Sequence, residues 1–104
     1  MPEPTVRATT YAVSCLPLDD EDAHLFTITV EYRGNGQWGV FRNGRGCLGS
    51  DGQWDWEPLP SNRDDDWLVS HRFAFDTAIE LAKQHAPLIT VNGYTVADAL
   101  RRKP

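Results

Sequence analysis

Histidine, cysteine and carboxylate side chains carry most proton, nucleophile and metal chemistry, and in this 104-residue chain they fall into a few short clusters. Asp64, Asp65 and Asp66 stand just ahead of His71, a set of oxygen and nitrogen donors suited to a divalent ion. Asp64, Asp66 and His71 would then be the working residues of a small metal-assisted hydrolase. Asp19, Asp20, Glu21, Asp22 and His24 make a second set. Adjacent carboxylates rarely converge on one ion without a shaped loop, and neither run alternates its ligands around a central glycine as a calcium loop does. A hydrated acidic loop or a helix cap is the simpler reading of both, so no metal or other cofactor is expected.

Nucleophilic chemistry fares similarly. Cys47 lies between Gly46 and Leu48-Gly49, where neighbouring backbone amides could be open, but no base sits nearby in sequence and a small buried thiol explains it as well. Cys15 is the other cysteine, and in a reducing compartment the pair reads as two buried thiols rather than a disulfide. Asp55 and Glu57, on one face of an extended segment, would be about 7 Å apart, a glycosidase-like separation that coincidence also supplies. Gly34, Gly36, Gly39 and again Gly44, Gly46, Gly49 fit the G-x-G-x-x-G pattern. Neither stretch leads from a strand into a helix, which a phosphate cradle requires, so both read as hairpin glycines.

The charge distribution is more informative. The formal net charge of −5 resides entirely in residues 51–66, where six carboxylates face Arg63 alone, while the rest of the chain balances. The same segment carries Trp54 and Trp56 and abuts Trp67. Inward tryptophans would be core; partly open ones beside carboxylates suit a cationic partner. Trp54, Asp55, Trp56, Glu57, Asp64, Asp65, Asp66 and Trp67 are therefore the candidate binding residues, and a protein with a basic surface is the candidate partner. An acidic mimic of nucleic acid acting on a basic site is a variant of the same idea. Acidity and scattered arginines argue against direct nucleic-acid binding. No apolar run approaches the ~20 residues of a bilayer span and no signal segment is evident, which reads as a cytoplasmic protein.

These residues need a scaffold, and 104 residues suffice for one domain with one core. Prolines at 2 and 4 predict a loose start. Thr5–Cys15 is rich in β-branched residues and predicts the first strand, ended by Leu16-Pro17-Leu18 and the acidic run. Leu25–Arg33 alternates Phe26, Ile28, Val30 and Tyr32 against polar residues, a half-buried strand. Gly34-Asn35-Gly36 turns into Gln37–Arg42, residues 43–46 turn again, and Cys47-Leu48 and Trp54–Glu57 complete an antiparallel meander of three to five strands. Asp64–Asp66 cap a short helix near Trp67, and Asp76 caps the main helix Thr77–Ala86, which Pro87 ends. Leu88–Val91 forms a brief strand, Asn92-Gly93 a turn, and Thr95-Val96-Ala97-Asp98 the capping box of a last segment reaching about Arg102. The expected class is α+β, one sheet face packed on the main C-terminal helix around Phe26, Ile28, Val30, Tyr32, Val40, Phe73, Ile79, Ala82 and Leu88.

The stretch Trp54-Asp55-Trp56-Glu57-Pro58, with Ser61, Arg63, His71-Arg72-Phe73, the helix Asp76–Ala86 and Thr90-Val91-Asn92-Gly93, resembles small uncharacterised proteins of actinobacteria and their phages. The resemblance covers the last half of the chain. It implies a phage, plasmid or accessory role and no particular chemistry.

Overall fold

A computed structural model describes residues 2–43 and 45–101. Gly44, in the expected 43–46 turn, and residues 102–104 at the expected loose end lie outside the described residues. The fold is α+β. Strands β1 (Thr10–Ser14), β2 (Thr27–Tyr32), β3 (Trp38–Arg42), β4 (Gly46–Leu48) and β5 (Trp54–Asp55) form one antiparallel sheet in sequence order. Helices α1 (Asp65–His71) and α2 (Phe75–His85) follow. A small hairpin of β6 (Thr90–Val91) and β7 (Tyr94–Thr95) leads to α3 (Val96–Arg101).

Register decides which side chains share a face. Ile28 lies opposite Val13 and Arg42, Val30 opposite Tyr11 and Val40, and Leu48 opposite Trp54, so these residues line one face. Ala12, Thr29, Glu31, Phe41, Cys47 and Asp55 line the other. Helix α2 packs on the first face, where Ala78 and Ala82 let it approach Ile28, Val30, Val40 and Leu48, all fully buried. Each of those four larger side chains contributes roughly 1.5–3 kcal/mol by leaving water. Tyr11, Trp38 and Phe75 close one end of this layer, their rings 4.9–5.9 Å apart between centroids.

The chain changes faces once, at residues 72–74. Strand β4 stops short of Trp38, and Phe73 fills the vacated place beside it: Trp38 N–H donates to Phe73 O at 2.7 Å and Phe73 N–H to Trp38 O at 2.9 Å. Helix α1 before this bridge is thus on the second sheet face and α2 after it on the first.

Several expected boundaries and burials move. The first strand starts at Thr10 rather than Thr5, because the ladder with β2 runs over residues 10–14 and ends in one bond from Tyr32 N–H to Thr9 O. The main helix begins at Phe75, with Ala74 at the cap position and Asp76 inside the first turn; the Phe73 bridge sets its start, and Asp76 acts on the dipole instead. Tyr32 is 42% exposed, since its ring edges Trp38 at the sheet end and its hydroxyl accepts from Gly36 N–H. Leu88 is 70% exposed because the turn after Pro87 gives the inward place to Ile89. Cys15 is exposed and Cys47 buried, both as free thiols.

The capping box forms as expected: Asp98 N–H donates to Thr95 Oγ1 at 3.1 Å and Thr95 N–H to Asp98 Oδ2 at 2.9 Å. The Thr95 backbone and hydroxyl bonds, with help from Arg101, hold the Asp98 carboxyl below its ordinary range. A depressed carboxyl stabilises the fold fully above its unfolded value of about 3.9 and loses that effect as pH falls through its folded value. Protection of the Thr95 amide relative to its intrinsic exchange rate should fall over that acid window in the native protein, and in Asp98→Ala should already be low at neutral pH.

Gly46 combines φ +88° with a close approach in which a Cβ would stand 2.2 Å from Asp55 O, whereas Gly34, at φ +95°, has open space. Gly46→Ala should cost about 3 kcal/mol or more in urea unfolding, and Gly34→Ala about 1 kcal/mol.

Candidate functional site

The acidic, tryptophan-bearing segment runs from the end of β5 across the second sheet face into α1, and two polar anchors fix it there. The first is His71, at the end of α1 and only 7% exposed. Its Nε2 lies 2.9 Å from Asp55 Oδ2, and its Nδ1 lies 2.8 Å from both Trp67 O and Ser70 Oγ. Both ring nitrogens are thus engaged by protein groups, and the Ser70 hydroxyl can itself donate to Asp66 O or Trp67 O at 3.1 and 3.0 Å. Trp67 stacks flat on the imidazole, 4.2 Å between centroids and 5° between planes. Gly49 makes room beneath: a Cβ there would stand 3.1 Å from His71 Nε2 and 2.9 Å from Asp51 Oδ1.

The second anchor is Glu57. Arg72, with a side chain 6% exposed, donates through Nη2 to Glu57 Oε1 and through Nη1 to His71 O at 3.0 Å. Arg63 Nη2 approaches Glu57 Oε2 to 3.2 Å while its Nε donates to Pro58 O at 2.9 Å. Arg33 stands 4.0 Å from the same carboxylate and 3.5 Å from Glu31. The guanidiniums of Arg33 and Arg72 also lie over the Phe41 ring, at 4.4 and 5.9 Å, and those of Arg63 and Arg72 over Trp67, at 5.9 and 5.1 Å. Cys47 sits fully buried below Arg72, 3.7 Å from its Nη1. Burial pushes its thiol up from the ordinary value, more than the Arg72 charge lowers it, which disfavours the reactive thiolate.

The expected residues therefore divide by what they touch. Asp55, its side chain 47% exposed, is bound to His71, and Glu57 is bound to Arg72 and Arg63, so they do not face each other across a substrate space. Asp64 is the N-cap of α1, its Oδ1 accepting from Trp67 N–H at 2.7 Å, while Asp65 and Asp66 lie exposed in the first turn. Asp64, Asp66 and His71 do not gather; no group of three or more histidine, cysteine or carboxylate side chains suited to a metal occurs among the described residues. Trp54 packs on the core and meets His85 edge-on at 6.1 Å, whereas Trp56 is 75% exposed. The strand ends at Asp55, so the alternation that would turn Trp56 the same way as Trp54 stops one residue early.

Arg72 and Arg63 are the residues sequence reasoning passed over. Their signal was present: Arg63 is the only base in the acidic segment, and Arg72 stands in the short link His71-Arg72-Phe73 between two helices. No family model, no curated protein and no solved structure matches this chain.

Truncating either side of a desolvated ion pair strands the other charge. Arg72→Ala should lower stability by about 2–4 kcal/mol in urea unfolding. Glu57→Ala should also destabilise, and the double variant should fall short of the sum by about 1 kcal/mol or more.

Proposed function

We propose that this is a non-enzymatic binding or regulatory protein that meets a protein with a basic surface through the outer side of segment 51–69. The observation that carries this reading is the combination of a clamped segment with large apolar side chains facing water. Trp56, Leu59 and Val69 are 75%, 69% and 79% exposed. Asp65 and Asp66 precede Val69 by one helical turn and share its side of α1, so an acidic pair borders an apolar contact. Glu57 and Trp67, both half-buried, and the exposed Asp55 are engaged by His71, Arg72 and Arg63.

Rigid presentation is what favours binding here. A loop ordered only on contact would pay its conformational entropy at that moment, whereas this one is already held. Charge complementarity would then speed encounter with a basic partner and make association sensitive to salt. An accessory role, of the kind the likeness to phage and actinobacterial proteins implies, fits a small protein that acts by occupying another.

Asp65→Asn/Asp66→Asn/Val69→Ser alters exposed positions only and should still fold, losing about 1–2 kcal/mol at most in urea unfolding as two first-turn charges are removed from α1. Immobilised wild-type protein should capture a basic protein from host lysate at low salt and less of it at moderate salt, and the triple variant should lose it. Equal capture by the variant, or capture indifferent to salt, would contradict the assignment of this surface.

A further inference from the structure

A cleft of about 470 Å³ opens on the other side of the exposed tryptophan, between the β3–β4 turn, β5 and residues 88–90. Its volume lies within the range of small-molecule sites. Arg42 and Arg45 line it together with Trp54, Trp56 and Thr90. Arg42 ends β3 and is held in place by an Nη2 bond to Thr90 O at 2.9 Å, and its Nε, out of contact with solvent, has no hydrogen-bond partner among the described residues. The turn brings Arg45 back beside it, with Arg45 N–H donating to Arg42 O at 3.0 Å.

Neither arginine has a carboxylate partner among the described residues. Asp55 and Glu57, the carboxylates flanking Trp56 in the chain, are tied to His71 and Arg72 on the opposite face. Burial, followed by repulsion from Arg45, holds the Arg42 guanidinium below its ordinary value, the electrostatic mark of two cations facing one space. In a chain of net charge −5 this is a local exception, and an anion placed between the two would relieve it.

The geometry points to a binding site for a nucleoside phosphate: the phosphate on the Arg42 and Arg45 guanidiniums, the base on the open face of Trp56. Guanidinium forks match phosphate oxygens, and a solvent-exposed indole is a stacking platform for a planar ring. A free carboxylate would use the arginines but not the tryptophan.

Calorimetric titration of the intact protein with adenosine monophosphate, adenosine and inorganic phosphate tests the assignment. Adenosine monophosphate should bind saturably and about tenfold or more tighter than either fragment. Arg45→Gln and Trp56→Ala are exposed positions away from the core, chosen because Arg42 also holds the 88–90 segment. Trp56→Ala should reduce nucleotide affinity to that of phosphate, and Arg45→Gln should weaken nucleotide and phosphate alike. The Asp65→Asn/Asp66→Asn/Val69→Ser variant should bind the nucleotide as wild type does, which separates this site from the protein-binding surface. Absence of saturable nucleotide binding at millimolar concentration, nucleotide affinity equal to that of phosphate, or binding unchanged in Arg45→Gln would overturn the inference. So would an Asp- and Glu-rich peptide that binds in an Arg45-dependent way while the nucleotide does not.

Discussion

The ion pair between Arg72 and Glu57 is the contact on which the second layer of this molecule depends. A seven-residue helix such as α1 is too short to persist by its own hydrogen bonds. Sheet strand β5 is two residues long, and the chain beyond it has few apolar side chains facing inward. What joins this segment to the sheet is charge: Arg72 beneath, Glu57 across, Arg63 and Arg33 at the flanks, and His71 bridging to Asp55. Desolvated pairs of this kind contribute little net stability against an apolar alternative, but they specify one arrangement and make any other costly.

That division of labour separates the two faces of the sheet. The α2 face follows ordinary packing, with small residues on the helix and branched aliphatics on the strands. The α1 face is polar and aromatic, with guanidiniums laid over Trp67 and Phe41, and it is this face that carries the candidate binding segment. Function on this reading resides where the chain is held by directional contacts, because those fix the positions of outward side chains as well as inward ones. Trp56 stands at the border, next to the clamped segment on one side and the Arg42–Arg45 cleft on the other.

Much of the scaffold was legible because periodicity reports burial directly. The alternation Phe26, Ile28, Val30 marked β2, the Gly34-Asn35-Gly36 turn marked the hairpin, and Thr95 with Asp98 marked the start of α3. Tyr32 and Leu88 escaped because alternation and hydrophobicity say nothing of where a covering helix ends. The site was legible in place but not in wiring. Segment 51–67 stood out by charge and Asp64 was legible as a helix cap, yet Asp55 and Glu57 read as open recognition carboxylates when they are bound by His71, Arg72 and Arg63. His71 and Arg72 reach Asp55 and Glu57 from 16 and 15 residues away, after the chain has folded back through α1, a long-range event that local spacing cannot encode. Trp54 and Trp56 part company for a similar reason: the strand's length, set by its neighbour β4, decides how far alternation extends.

Native-state hydrogen exchange of the Leu68–His71 amides, compared between the wild type and Glu57→Gln, addresses the clamp most directly. If the ion pair holds α1, these amides are well protected in the wild type. They should then lose about tenfold or more protection in the variant beyond any change at Ile28 and Val30 in β2. Equal loss in α1 and β2, or α1 amides already unprotected in the wild type, would contradict the account.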